Sequence, residues 1–170
     1  MLSAAILENT FSLADLYERV NIMQHFLEQY FFDATPKQGL RIDLLRALYH
    51  ENDLETLAHV NAISAWGPEI LETYTTSNMY DRIRDLKFAA ESCPRIVLDV
   101  PVVFTTPLIE RIGRWCRANV HPAIMLELRV RPEAVGGCIF SYNNVLHDVS
   151  LSYFAKKERA ELLKVIHSYA

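Results

Sequence analysis

Cys116 and His121 are the residues whose types would suit catalysis, since a thiol beside an imidazole is a nucleophile with its base. The five-residue spacing gives no support, because such partners are brought together by a fold and not by sequence. A cysteine with no flanking pattern is a small packing residue. Cys93, Cys116 and Cys138 are odd in number and widely spaced, with no Cys-x-x-Cys pair, so neither a zinc site nor a redox dithiol is spelled out. His50 and His59 fall on different predicted helices and read as surface or capping histidines. The sequence also lacks G-x-x-x-x-G-K-[ST], G-x-G-x-x-G, H-E-x-x-H and G-x-S-x-G, the patterns that carry phosphate, dinucleotide, zinc and acyl-transfer chemistry. The expectation is a chain with no catalytic residue, no cofactor and no metal. A small enzyme remains the least favoured alternative, with Cys116 as its test position.

Charge and aromatic patterns point to partners instead. Arg111, Arg114 and Arg117 recur every three residues, and Arg129 and Arg131 follow. They form either a solvated helix face or a docking surface for an acidic partner helix. No aromatic ladder stands beside them, so an RNA-associated adaptor is a weaker alternative. Tyr17, Phe26, Tyr30, Phe31 and Phe32 make an aromatic stripe that is either core or a partner-binding groove. Phe26 and Phe32 fall off the main stripe, which favours a partner. Residues 1–92 carry fourteen acidic and seven basic residues, a net −7, and residues 93–170 carry seven and ten, a net +3. The acidic front half is a poor surface for nucleic acid.

The elements that must position these residues change character at Cys93-Pro94. Before it the apolar spacing is helical. Ser12 with Asp15 starts a helix carrying Leu13, Leu16, Tyr17, Val20, Met23, Leu27, Tyr30 and Phe31 on one stripe. Thr35-Pro36 begins another with Leu40, Leu44, Leu45 and Leu48. Asn52-Asp53 caps a third with Leu54, Leu57, Val60 and Ile63. Gly67-Pro68 breaks the chain before a short helix through Ile70 and Leu71. Ser77 or Asn78 caps one with Met79, Ile83, Leu86 and Ala90 inward. After Pro94, Ile96 to Leu98 and Val100 to Thr105 read as a buried strand, with Pro101 calling for either an edge position or a break in the ladder there. Thr106-Pro107 opens a helix with Leu108, Ile109, Ile112 and Trp115 on one face, ending at Asn119. Ile124 to Arg131 alternates as a strand with one wet face. Gly136-Gly137 opens a strand over Cys138 to Tyr142, Asn143-Asn144 turns a hairpin, and Val145 to Asp148 returns. Ser150 caps a last helix with Phe154, Leu162, Ile166 and Tyr169 on one face. The expected class is α+β, with a helical bundle over residues 1–92 and a small β-α-β-β-α domain over 93–170. No apolar run reaches the roughly 18 residues of a membrane span. The first residues lack the charge pattern of a signal or transit peptide, so the chain reads as cytosolic or as the mature form of an imported protein.

The stretch from Arg131-Pro132 through Gly136-Gly137 to Asp148-Val149-Ser150 resembles the signature of ATP synthase delta subunits, whose mitochondrial counterpart is the oligomycin-sensitivity-conferring protein. Pro132 precedes Gly136 by four positions and Gly137 precedes Asp148 by eleven, as in that family. Val102-Val103-Phe104-Thr105-Thr106-Pro107-Leu108 is similar to its entry from strand into helix, and the order of elements and the length are similar too. The resemblance implies a non-catalytic stator connector. Its bundle would hold the N-terminal helices of the α subunits, and its C-terminal domain the b-type stalk helices. It implies a peripheral location, through the complex, on the cytoplasmic face of an energy-transducing membrane or the equivalent side in an organelle. Pro132, Gly136, Gly137, Asp148 and Ser150 would then be structural, with Tyr17, Phe26, Tyr30, Arg111, Arg114 and Arg117 as candidate partner contacts.

Overall fold

Several helices begin where the sequence offers a side-chain oxygen to a free backbone N–H. The Ser12 hydroxyl accepts from the Asp15 N–H at 3.0 Å, the Asp53 carboxylate from Thr56 at 2.8 Å, and the Ser150 hydroxyl from Tyr153 at 3.2 Å. Each such cap contributes about 1 kcal/mol. The structure is a computed structural model and describes residues 2–32, 42–50, 53–134, 136–159 and 164. The chain is α+β, with a mixed four-stranded sheet. The helices α1 (Ala4–Asn9), α2 (Leu13–Phe32), α3 (Ile42–Leu48), α4 (Leu54–Ser64), α5 (Pro68–Glu72) and α6 (Met79–Glu91) come first. They are followed by β1 (Arg95–Val100), α7 (Thr106–Asn119), β2 (Met125–Val130), β3 (Ile139–Tyr142), β4 (Val145–Asp148) and α8 (Leu151–Lys157).

Helix α2 is the axis of the helical part. Leu16, Val20, Met23 and Leu27 are buried at the spacing that the sequence predicts. They pack with Leu45 of α3, Val60 and Ile63 of α4, Leu71 of α5, Met79, Ile83 and Ala90 of α6, and Trp66. Gly67, at φ 99°, makes the sharp entry into α5, and Pro68 occupies its first turn, where a missing N–H costs nothing. The predicted leucine stripes are thinner than expected. Leu44, Leu48 and Leu54 are exposed, while Thr35, Pro36 and Leu40 lie outside the described residues. In α8 Phe154 is exposed, and Leu162, Ile166 and Tyr169 also lie outside.

The sheet order is β2-β1-β3-β4. Strands β1 and β2 run parallel, with Leu98 opposite Leu128, and α7 is their crossover. Strand β3 pairs antiparallel with β1 and forms a hairpin with β4. Asn143 and Asn144 sit at φ 50° and 62°, the left-handed pair that a two-residue hairpin requires and asparagine tolerates. The predicted strand from Val100 to Thr105 does not form. Strand β1 is central, so a proline without an N–H cannot sit in its ladder. The strand stops at Val100, and Val102 and Val103 are 60% and 79% exposed. Ile96, Leu98, Val100, Cys116, Ile124 and Leu126 form a second core between the sheet and α7.

The two cores are joined by the segment between α1 and α2. The Leu126 N–H donates to the Phe11 carbonyl at 2.9 Å, and Ser12 forms a parallel bridge with Leu126. The start of β2 is thereby buried on both sides: Leu126 faces the second core and Met125 enters the helical one. The predicted wet face of this strand begins only at Glu127.

Candidate functional site

The Gly-Gly and Asp-x-Ser residues of the pattern converge on one junction. Gly136 and Gly137 have φ of 82° and 74°. A Cβ on Gly137 would lie 2.3 Å from the Val149 carbonyl oxygen and 2.9 Å from the Ser150 Cα, so the turn backbone lies directly on the strand-to-helix backbone. The Leu151 N–H donates to the Gly136 carbonyl at 3.1 Å and the Val149 N–H to the Cys138 carbonyl at 3.0 Å. Asp148 accepts from the Ser150 N–H at 2.9 Å. The Ser150 side chain, its backbone N–H and the charge of Lys156 hold the Asp148 carboxyl below the usual carboxylate range. Ser150 is fully buried, and its hydroxyl lies 2.8 Å from that of Ser152. Pro132 opens the short 3-10 turn Pro132–Ala134, whose Ala134 is buried. Before it, Arg131 pairs with Asp99 at 3.2 Å. This assembly fixes backbone against backbone.

Helix α7 divides the arginines that the sequence places on one face. Arg111 and Arg114 are exposed, and Arg114 pairs with Glu110 at 2.9 Å. Arg117 turns inward, a correction to the predicted docking face. It donates to the carbonyls of Leu7, Thr10 (2.5 Å) and Ile124 (3.2 Å), and its guanidinium lies 4.4 Å from the centre of the Phe11 ring. It is therefore a strut between α1, α7 and β2. Burial pulls its pKa down from the ordinary arginine value, with the charge of Cys93 opposing. Trp115 is the reverse correction: assigned to the inner face by the sequence, it is 62% exposed. The inner positions are Gly113 and Cys116, because the small residue lets α7 approach Phe11. Trp115, Arg111 and Ile112 line a shallow cavity of about 310 Å³.

The aromatic candidates on α2 separate in the same way. Phe26 is 3% exposed and belongs to the helical core, a correction to its candidacy as a partner contact. The reason is that the buried face of α2 is wide: Ile22 is buried beside it. Tyr17 and Phe31 are half-buried against that core, and Tyr30 packs on both Phe26 and Phe31 at ring distances of 6.1 and 5.2 Å. Phe32 is 59% exposed.

One polar cluster has no counterpart in the sequence reading. Arg19, on the buried stripe of α2, donates to the Thr10 hydroxyl at 2.6 Å, to the Asn9 carbonyl at 2.8 Å and to His59 Nδ1 at 3.4 Å. The Trp66 indole N–H donates to Asn9 Oδ1 at 3.0 Å, and Asn9 Nδ2 to the Ala62 carbonyl at 2.9 Å. Burial lowers the Arg19 pKa, opposed by the charges of Asp15 and Glu110. The available signal was an arginine three positions after Leu16 on an otherwise apolar stripe. Beside the cluster lies a cleft of about 410 Å³ lined by Asp15, Glu18, Asp53, Glu55 and His59.

For nucleophilic chemistry the geometry is unfavourable at Cys116. The thiol is buried, and burial pushes its pKa up, as it does for Cys93 and Cys138; a nucleophilic cysteine needs the opposite shift. The His121 backbone N–H donates to the Cys116 carbonyl at 3.2 Å, while the ring Nδ1 accepts from the Ala123 N–H at 3.1 Å. Among the described residues, no group of three or more His, Cys, Asp and Glu is arranged to hold a metal ion. Neither a protein-family model nor a curated protein matches the chain.

Proposed function

We propose that the chain is a non-catalytic connector of the peripheral-stalk type in a rotary F-type ATP synthase. On this reading residues 1–92 are a helical bundle that grips the N-terminal helices of the α subunits, and residues 93–170 are a small β-α-β-β-α domain that holds the ends of b-type stalk helices. The stalk must resist rotor torque, which calls for stiffness and affinity rather than chemistry. Two contact sites on one chain add effective concentration to each single affinity.

The observation that carries the reading is the junction at Gly136, Gly137, Asp148 and Ser150. The pattern that resembles the delta-subunit signature is used there for close backbone approach and helix capping, which is what a structural signature needs. The strut of Arg117 and Phe11 adds support, since it ties the helical part to the sheet as a torque-bearing link requires. The connector is peripheral to the membrane, on the cytoplasmic face or its organellar equivalent. Among the described residues no helix is long and apolar enough to cross a membrane.

The test is gentle affinity purification of the tagged chain from detergent-solubilised native membranes, with identification of the chains that accompany it. Recovery of ATP synthase α, β and b-type subunits in fixed ratio is the expected result. Recovery of the chain alone, or with unrelated partners, removes the stator role.

A further inference from the structure

We propose that the outer face of α7, centred on Trp115 with Arg111 and Arg114, is a docking surface for an acidic amphipathic helix of a partner protein. The inference names the partner chemistry of the connector and to that extent rests on that reading, but its surface is argued from α7 alone.

Trp115 is 62% exposed and so leaves apolar surface in water whose burial is favourable. Exposed tryptophan flanked by arginine is the composition of binding hot spots rather than of ordinary surface. Here Trp115 stands beside half-buried Ile112, and the two line a shallow cavity with Arg111. Positions 111, 112 and 115 follow one another at the helical spacing of a single stripe, so the residues that line the depression share one side of the helix. A partner helix laid beside it would set apolar side chains at intervals of three and four residues against Ile112 and Trp115.

The sign of the partner follows from the charges on the same face. Arg111 and Arg114 are exposed, and Glu110, the acidic residue of α7, pairs with Arg114. The face keeps a net positive charge through Arg111, which favours Asp and Glu on the flanks of the incoming helix and disfavours Lys and Arg. A nucleic acid fits less well. Glu110 would face its phosphates, the stripe offers a single aromatic ring for base stacking, and Arg117 is turned into the protein, away from any phosphate.

The test uses the full chain and a displayed library of helical peptides. All members carry leucine at spacings of three and four, with flanking positions drawn from Asp, Glu, Lys, Arg, Ser and Gln. Trp66 is buried and Trp115 exposed, so protection of emission from iodide reports occupancy at Trp115. Selected peptides are expected to be enriched in Asp and Glu and to protect Trp115. They should lose at least about ten-fold in affinity, about 1.4 kcal/mol, to Trp115→Ala and to the pair Arg111→Glu and Arg114→Glu. Circular dichroism of each variant keeps folding separate from binding, and Trp115→Phe should retain most of the affinity. Selection of basic or charge-neutral peptides overturns the proposal. So does failure to select any, unchanged binding by a folded Trp115→Ala, or tighter binding of a polyuridylate probe than of any peptide. If the native purification recovers no ATP synthase chains while acidic peptides still require Trp115, the stator reading falls and this surface stands. If it recovers them equally well with Trp115→Ala and the peptides fail, the reverse holds.

Discussion

The guanidinium of Arg117 lies over the Phe11 ring, 4.4 Å from its centre, and donates to the carbonyls of Leu7 and Thr10. Those carbonyls belong to the end of α1 and the segment after it, where no helical N–H is available to them. Arg117→Met leaves them without that donor and is expected to cost about 2–4 kcal/mol, read from urea unfolding. Arg117→Lys should recover less than half, because one ammonium lacks the planar fork that reaches several acceptors at once. A Met variant within about 0.5 kcal/mol of the parent, the usual range of a surface change, would contradict the strut.

Two glycines should respond differently to the same substitution. A Cβ on Gly113 would meet Phe11 side-chain atoms at 2.5 to 2.8 Å. Gly113→Ala is expected to cost about 1–3 kcal/mol through overpacking, and the cost should fall, though not to zero, in a Phe11→Ala background, where the ring is gone but the Cβ at 2.7 Å remains. A Cβ on Gly137 meets backbone at 2.3 Å with φ at 74°, so Gly137→Ala should cost about 2 kcal/mol or more with no side-chain change able to relieve it. A double-mutant cycle on Phe11 and Gly113, with Gly137→Ala as control, checks both.

Acid should weaken the junction at Asp148. Its carboxyl is held below the usual range in the fold, by the Ser150 side chain first and then the Ser150 N–H. The stabilisation is therefore fully present above the ordinary aspartate pKa of about 3.9 and is lost as pH falls through the lower folded value. Unfolding free energy of Asp148→Asn, followed with pH, should lack this part of the acid slope. An acid limb identical to the parent's would remove Asp148 from it. Asp53, lowered by the Thr56 N–H, should behave in the same direction.

Thiol labelling should rank the cysteines by burial. Cys116 is 4% and Cys93 9% exposed, while Cys138 is half-buried. In the native chain Cys138 should react with iodoacetamide first, and Cys116 only at the rate of opening. Rapid labelling of Cys116 at neutral pH would instead reveal an activated thiol and revive a catalytic reading.

Local signals were legible wherever one residue type has one backbone use. Ser12, Asp53 and Ser150 cap the helices that the sequence assigns to them, Asn143-Asn144 turns the hairpin, and Pro68 sits in a first turn. What sequence patterns could not supply was which residue meets which. The face of α7 was assigned by apolarity, giving Trp115 inward, but contact is decided by Gly113, which carries no hydrophobic weight and alone admits Phe11. Arg117 was placed on an outward basic face, solvated or docking, because the orphan carbonyls it serves lie 107 and 110 residues away. Arg19 was passed over for the same reason: Asn9 and Trp66, which complete its network, belong to other elements. Phe26 was placed outside by a narrow stripe where α2 buries a broad face.

The bridge from Phe11 and Ser12 to Leu126 also sets a timetable for the chain as it is made. During synthesis the helices up to α6 emerge before any part of the sheet, with residues 11 and 12 already delivered and their strand partner not yet translated. The helical core can gather early from contacts nearer in sequence, while the bridge from Leu126 back to Phe11 and Ser12 must close a loop of more than a hundred residues. Until then Met125 is missing from the helical core and Phe11 has neither Gly113 nor Arg117 to receive it. A nascent chain stalled before residue 113 would thus display, at one spot, an aromatic ring and the carbonyls of Leu7, Thr10 and Phe11 without the partners that later residues bring them.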